Sequence, residues 1–415
     1  MTKKLILQLI IVAFITVSVS AQKPADKAVF KSYEPGYFQN TILKGIESFE
    51  TQQKPAPAAK TFKAELPADF PKFSAAEFKQ YWHNPPISQG NTNTCWCFSS
   101  TSFLESEINR TTGKQVKISE MFTVYYEYIE RAQEFVRTRG KIYIGEGSEG
   151  NATTKIWKKY GCVPFEAYSG LLPGQTFYTH DKMFNEIKAY TEFVKANNLW
   201  DEAAVVANFK AILNYYMGTP PEKVTVNGKE YTPKQYLNDY LKVNPDDFVD
   251  VLSYLQQPFW QKVEYEVPDN WWHDKSYHNV PLDDFMKVAK AAVRAGYTFA
   301  IGGDVSEAGF LAREANTAFI PDFDIPSQYI NDNARQFRFS NQTTTDDHGM
   351  HVVGYKEVNG VTWFLVKDSG AGSRTGGKDV NPNFGYYFFH EDYIKLKMMD
   401  LMIHKDAVKD LLSKF

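Results

Sequence analysis

The sequence predicts an α+β protein, a helical half followed by an antiparallel β half. Three observations carry that reading. From Cys95 onward Phe98, Thr101, Leu104, Glu105 and Ile108 recur at three- and four-residue spacings, the period of one helix face. After residue 297 the period changes, and 298–305 reads as a buried strand. Residues 351–358 and 361–367 are two strand-like runs joined by Asn359 and Gly360, a strong hairpin signal. Helices first and antiparallel strands later are the α+β signature.

In chain order, residues 1–21 read as a secretory signal: Lys3 and Lys4 begin it, 5–17 is an apolar run broken only by Gln8 and Thr16, and Val19, Ser20 and Ala21 are small cleavage-site residues. A membrane anchor would need about 20 apolar residues. Residues 22–75, with Pro, Ala and Lys and weak periodicity, read as an N-terminal arm. Then comes a domain over 76–415. Its first helix opens at Cys95 and stops at Gly113, and a second covers about 119–137 with Ser119 as its cap. The glycine-rich 145–151 is a loop before a helix that ends at Tyr160 and Gly161. Residues 177–257 read as largely helical, broken at Gly218, Thr219, Pro220 and Pro221 and turned at Asn227 and Gly228. One more amphipathic helix spans 281–296, and 385–390 is a last strand.

Composition bounds the function. The 415 residues are 43% hydrophobic and 15% aromatic, which excludes a disordered or fibrous chain. With 46 basic and 49 acidic residues the net charge is -3, so nothing in bulk electrostatics calls for nucleic acid or an anionic membrane surface. Three cysteines exclude a disulfide scaffold. An odd count in an exported chain leaves at least one thiol free or paired to another chain, and a bridge between Cys97 and Cys162 is a possibility that spacing alone does not decide.

The chemistry-bearing residues lie in three segments. Cys95 opens a helix, where the positive end of the helix dipole favours thiolate, and a nearby imidazolium would favour it further. Gln89, six residues earlier, can fold its amide beside the Cys95 N–H, giving two donors for a developing oxyanion. His348 stands at the mouth of a strand and Asp368 on the far arm of the same hairpin, so the hairpin returns the carboxylate to the imidazole. Nucleophile, base and orienter are then present. His351 lies three residues into the strand and points to the other face. His348 and His351 have no third ligand at HExxH-like spacing, so neither a metal nor a cofactor is expected.

Gln89, Cys95, Trp96 and Phe98 as Q-x5-C-W-x-F, His348 six residues before Gly354 and Tyr355, and Lys367 to Gly370 resemble the motifs of papain-like cysteine peptidases. Ser119 to Phe122 with Glu130 and Arg131, Lys159 to Pro164, Gly218 to Glu222, Tyr231 to Pro233, Gly302 to Val305 and His348 to Met350 resemble landmarks of the bleomycin hydrolase/aminopeptidase C group, in order. The resemblance covers about 75–415. It implies a papain-like fold with a large helical insertion at about 170–280 and hydrolysis of peptides. It also implies Gln89 for the oxyanion, Cys95 as nucleophile, His348 as base and Asp368 as orienter. From the loop and the residue after Cys95 it implies substrate contacts at Gly147, Ser148 and Trp96, and in the whole group a ring-shaped hexamer. The orienting position, usually Asn, is Asp368, and the tryptophan two residues on is Gly370. Glu146 and Glu149 read as solvated loop charges, or as a lure for a substrate α-amine. Long members of the group end in an arm that carries its terminal carboxylate into the cleft; here 409–415 read as a short helix end with Leu411, Leu412 and Phe415 available to pack. Papain-type internal cleavage and a catalytically weakened peptide-binding role are the alternatives to aminopeptidase-like action. The exported protein would work in the periplasm or outside the cell, unanchored once the signal is removed.

Overall fold

The computed structural model describes residue 44 and residues 62–415 except 69, 313 and 371–380. The signal segment and, apart from residue 44, the arm up to residue 61 lie outside the described residues. Among the described residues no helix is long and apolar enough to cross a membrane.

The helical half is close to its sequence pattern. α1, Cys95–Thr112, ends on Gly113 in the left-handed region at φ 72, a conformation that costs glycine little. α2, Glu120–Arg137, starts on Ser119, whose hydroxyl accepts from the Phe122 N–H at 3.0 Å, a cap worth about 1 kcal/mol. α3, Asn151–Tyr160, comes directly after the glycine-rich loop. α4, Asp181–Ala196, and α5, Glu202–Met217, complete the layer. Their apolar faces form one core with Phe103, Leu104, Tyr128, Trp157, Phe184 and Leu213.

The insertion expected to be helical over about 170–280 is helical in the main only through Met217. Gly218, Pro220 and Pro221 break the helix, because proline has no N–H to donate and its ring clashes with the preceding turn. The chain then turns back on itself in the hairpin of β2, Val224–Val226, and β3, Lys229–Tyr231, around Asn227 and Gly228. Short helical turns lead from there to three strands, β4 Phe248–Leu252, β5 Gln261–Val263 and β6 Tyr277–Asn279, all within the main sheet.

The β half is built on α6, Leu282–Ala295, between Pro281 and Gly296, and on the strands β7 Phe299–Gly303, β10 His348–Val358, β11 Val361–Lys367, β12 Tyr386–His390 and β13 Met398–His404. With β1 Lys79–Gln80, β8 Phe310–Leu311 and β9 Thr317–Ala318, the order is β5-β6-β4-β13-β7-β10-β11-β12-β9-β8, and β1 pairs with β10. The hairpin at Asn359 and Gly360 sets Val358 opposite Val361 and His351 opposite Lys367.

Alternation sends the two faces of this sheet into different cores. Phe299, Ile301, Met350, Val352, Leu401 and Ile403 pack against Val288, Ala289 and Ala292 of α6. On the opposite face Ala300 and Met402 join the helical core under α1. The described part of the arm runs over the far end of the sheet, where Phe70 and Phe73 pack on Trp363. At the C-terminus the Phe415 ring lies against Trp260 and His278, and none of the residues lining the cleft beside Cys95 belongs to 409–415.

Candidate active site

Cys95 is the first residue of α1 and is partly exposed, while Trp96, Cys97 and Phe98 are buried. All three cysteines are free thiols, so the possible bridge between Cys97 and Cys162 is absent. The Cys97 sulfur instead faces the Glu120 carbonyl at 3.3 Å, in the helical core.

The close approach of β10 to the start of α1 depends on Gly349. A Cβ there would stand 2.9 Å from the Ser99 hydroxyl and 3.3 Å from the Trp96 Cα, tighter than side chains normally pack. His348, one residue earlier, is thereby brought to Cys95, with which it shares a hydrogen bond. Its Nε2 meets Asp368 Oδ1 at 2.6 Å, which leaves Nδ1 to face the thiol. Burial alone would lower the pKa of His348. The Asp368 charge and hydrogen bond, with the hydrogen bond to Cys95, overcome it and hold the ring well above 6.5. Gly370 lies over this pair: a Cβ on it would be 3.4 Å from His348 Cε1 and 3.1 Å from Asp368 Oδ2.

His351 points the other way. It is fully buried, its Nδ1 is 2.8 Å from Ser102 Oγ, and that hydroxyl accepts from Lys367 Nζ at 2.8 Å. Burial first, and then the Lys367 charge, keeps it well below 6.5 and neutral.

Gln89 is buried on the other flank. Its backbone N–H donates to Ser369 O at 3.0 Å, and its Oε1 accepts from the Ser369 hydroxyl at 2.7 Å. These bonds fix the orientation of the amide, and one proton of its NH₂ goes to Thr92 O at 2.6 Å. Gln89 is thus tied to the residue beside Asp368, with one amide proton left to offer.

The loop 145–149 is held from both sides. The Trp96 indole donates to Glu146 O at 3.1 Å, and the Glu146 carboxylate accepts from the Asn93 N–H at 3.1 Å. Arg131 donates to the carbonyls of Gly145 and Gly147, and Glu127 accepts from Ser148 Oγ at 2.7 Å and from the indoles of Trp271 and Trp272. Glu146 and Glu149 are both buried, which corrects their reading as solvated loop charges and leaves open the alternative, a lure for a substrate α-amine. Of the residues expected to touch substrate, Trp96 and Ser148 line the cleft, whereas Gly147 turns its carbonyl to Arg131 and lies against Asp269.

The cleft beside Cys95 and His348 is lined by Glu149, Asp269, Asp346, Asp347 and Asp400. No single segment of sequence shows this set. A charged residue inside the apolar run 398–403 was the available signal for Asp400, and a Glu and an Arg at i and i+4 on the buried face of α2 was the signal for Glu127 and Arg131.

No family model matches the chain. Among solved structures, the crystal structure of PepW from Lactobacillus rhamnosis HN001 superposes with a TM-score of 0.61 at 16% identity, covering 81% of this chain and 85% of that one. The fold is papain-like. Along the chain, aminopeptidase C of Lactococcus lactis subsp. cremoris is 22% identical over 429 residues, 92% of this chain and 93% of the relative. Aminopeptidase C of Streptococcus thermophilus is 20% identical over 416 residues, 89% and 90% of the two. These alignments bear out the resemblance to papain-like cysteine peptidases and, within them, to the aminopeptidase C group.

Proposed function

We propose that the chain is an exported cysteine peptidase with aminopeptidase-like action on peptides. The observation that carries this is the unbroken line from the Cys95 thiol through the His348 ring to the Asp368 carboxylate, at the start of a helix and open to a cleft. The Cys95 thiolate attacks the scissile carbonyl carbon, and the oxyanion is met by the Cys95 N–H and the remaining Gln89 amide proton. Collapse breaks the C–N bond as His348 gives its proton to the leaving amine. Water then adds to the thioester, His348 takes its proton, and the acid and the thiol are released. Lys3, Lys4 and the apolar run after them support export, and the mature protein should begin at Gln22 on N-terminal sequencing.

Cys95→Ala should abolish both turnover and labelling by a thiol-directed epoxide. Cys97→Ala and Cys162→Ala should keep most of each, because both thiols are buried and burial pushes their pKa values up. Equal loss of labelling in the Cys97 variant would move the nucleophile.

A further inference from the structure

We propose that the acid-lined pocket beside the reactive thiol is the specificity site of this enzyme and binds a cationic group of the peptide, either a Lys or Arg side chain near the scissile bond or the substrate's own α-ammonium. The inference rests on the peptidase reading and names its substrate class.

The pocket is built from distant segments. Glu149 closes the glycine-rich loop, Asp346 and Asp347 immediately precede His348, and Asp400 lies in β13 opposite Gly302 of β7, which is itself opposite Gly349 of β10. Asp269 completes the wall. Gly302 leaves room in this row: a Cβ on it would stand 2.5 Å from Asp400 Oδ1 and 3.8 Å from Asp346 Oδ1. The acid oxygens therefore face the space that Gly302 vacates.

Among the described residues no Lys or Arg lines the pocket. Arg335, the cation that acts on Asp400, spends its guanidinium on the carbonyls of Ser253, Lys395 and Met398, and Arg131, beside Asp269, holds Gly145 and Gly147. Glu149 and Asp400 are 5% and 6% exposed, and among the described residues neither Glu149 Oε1 nor Asp400 Oδ1 accepts from an N–H or hydroxyl donor. A buried carboxylate oxygen without such a donor is costly, and the usual remedies are a proton, a metal or a bound cation.

Without a cation the protons stay. Burial, with the neighbouring acids, raises Asp346 to about 7 and Asp400 to about 8, and Glu149 and Asp346 share a hydrogen bond that only a protonated partner can donate. An ammonium entering the pocket replaces these protons as the counter-charge. Among the described residues no group of three His, Cys, Asp or Glu side chains is spaced to hold a metal ion, which favours an organic cation over a divalent one.

The test uses the full-length protein and fluorogenic dipeptide amides, free or N-acetylated, with Lys or its uncharged isostere norleucine at each position. A charge-assisted contact in a buried site should raise kcat/KM for the cationic member of a pair roughly 10- to 100-fold. A Lys preference that survives acetylation assigns the pocket to a side chain. A preference for the free amine without a Lys preference assigns it to the α-ammonium. In Asp400→Asn and, separately, Glu149→Gln the ratio should fall toward one, with epoxide labelling of Cys95 reporting that the protein is folded. Equal rates for every pair in the native protein overturn the proposal, as does an unchanged ratio in a labelled variant. Absence of turnover and of Cys95 labelling in the native protein would instead overturn the peptidase reading.

Discussion

Asp368 does with a full charge what an amide oxygen could do with a dipole. Its carboxylate accepts from His348 Nε2 at 2.6 Å and favours the imidazolium. The folded-state pKa of His348 lies above its free value, so the charged pair is stabilised at neutral pH and is lost as pH rises through the folded value. Asp368→Asn keeps an acceptor but drops the charge. It should retain appreciable activity while the alkaline limb of kcat/KM moves to lower pH. Asp368→Ala frees the ring and should cost on the order of 10-fold or more in kcat. An unmoved limb in the Asn variant, measured across the same buffers, would remove the electrostatic role. Cys95, His348 and Asp368 were legible in the sequence because each sits in a short segment whose local structure, a helix start or a hairpin, can be read without the rest of the chain. Glu149 was legible only as one of two loop charges that could draw an α-amine, and Asp346 and Asp400 not at all, because it takes the register of β13 on β7 and of β7 on β10 to bring Asp400 beside the segment that leads into His348.

At the scale of elements, the contact between α1 and β10 sets the distance between Cys95 and His348. Gly349 permits it, and behind it Ser102 of α1 joins His351 of β10 and Lys367 of β11. Gly349→Ala should push the strand and the helix apart by a few tenths of an ångström against the Trp96 backbone. Overpacking of this kind costs about 1–3 kcal/mol. The expected outcome is a lower Tm and a loss in kcat that exceeds any change in KM; a kcat equal to that of the native protein would show that the spacing is set elsewhere. Helix boundaries were largely legible, since α1, α2, α3 and α6 carry caps, glycine stops and a clear 3.6 period. β13 was not. Met398–His404 is buried at every position, so it lacks the alternation that marks a strand exposed on one face. β4, β5 and β6 were hidden in a stretch whose earlier part is strongly helical.

Across the whole molecule Cys95 and His348 straddle two layers, with the thiol on the helical layer and the imidazole on the sheet. The resemblance to aminopeptidase C spans both, in accord with a site that neither layer holds alone. The three free thiols also lie at different depths in the helical layer: Cys95 partly open, Cys97 and Cys162 fully buried. An alkylating reagent at mildly alkaline pH should therefore modify Cys95 at once, and the other two only during excursions that unpack α1 from α2 or expose Cys162. When reclosure outruns modification, the slow rates measure the free energy of those openings. Intact-mass kinetics on Cys95→Ala should show two slow phases that steepen with urea; two rapid phases without urea would mean that these cysteines are not shielded as the structure has them. Sulfur chemistry thus gives the protein a second use for its cysteines, as internal clocks that time how often the helical layer breathes.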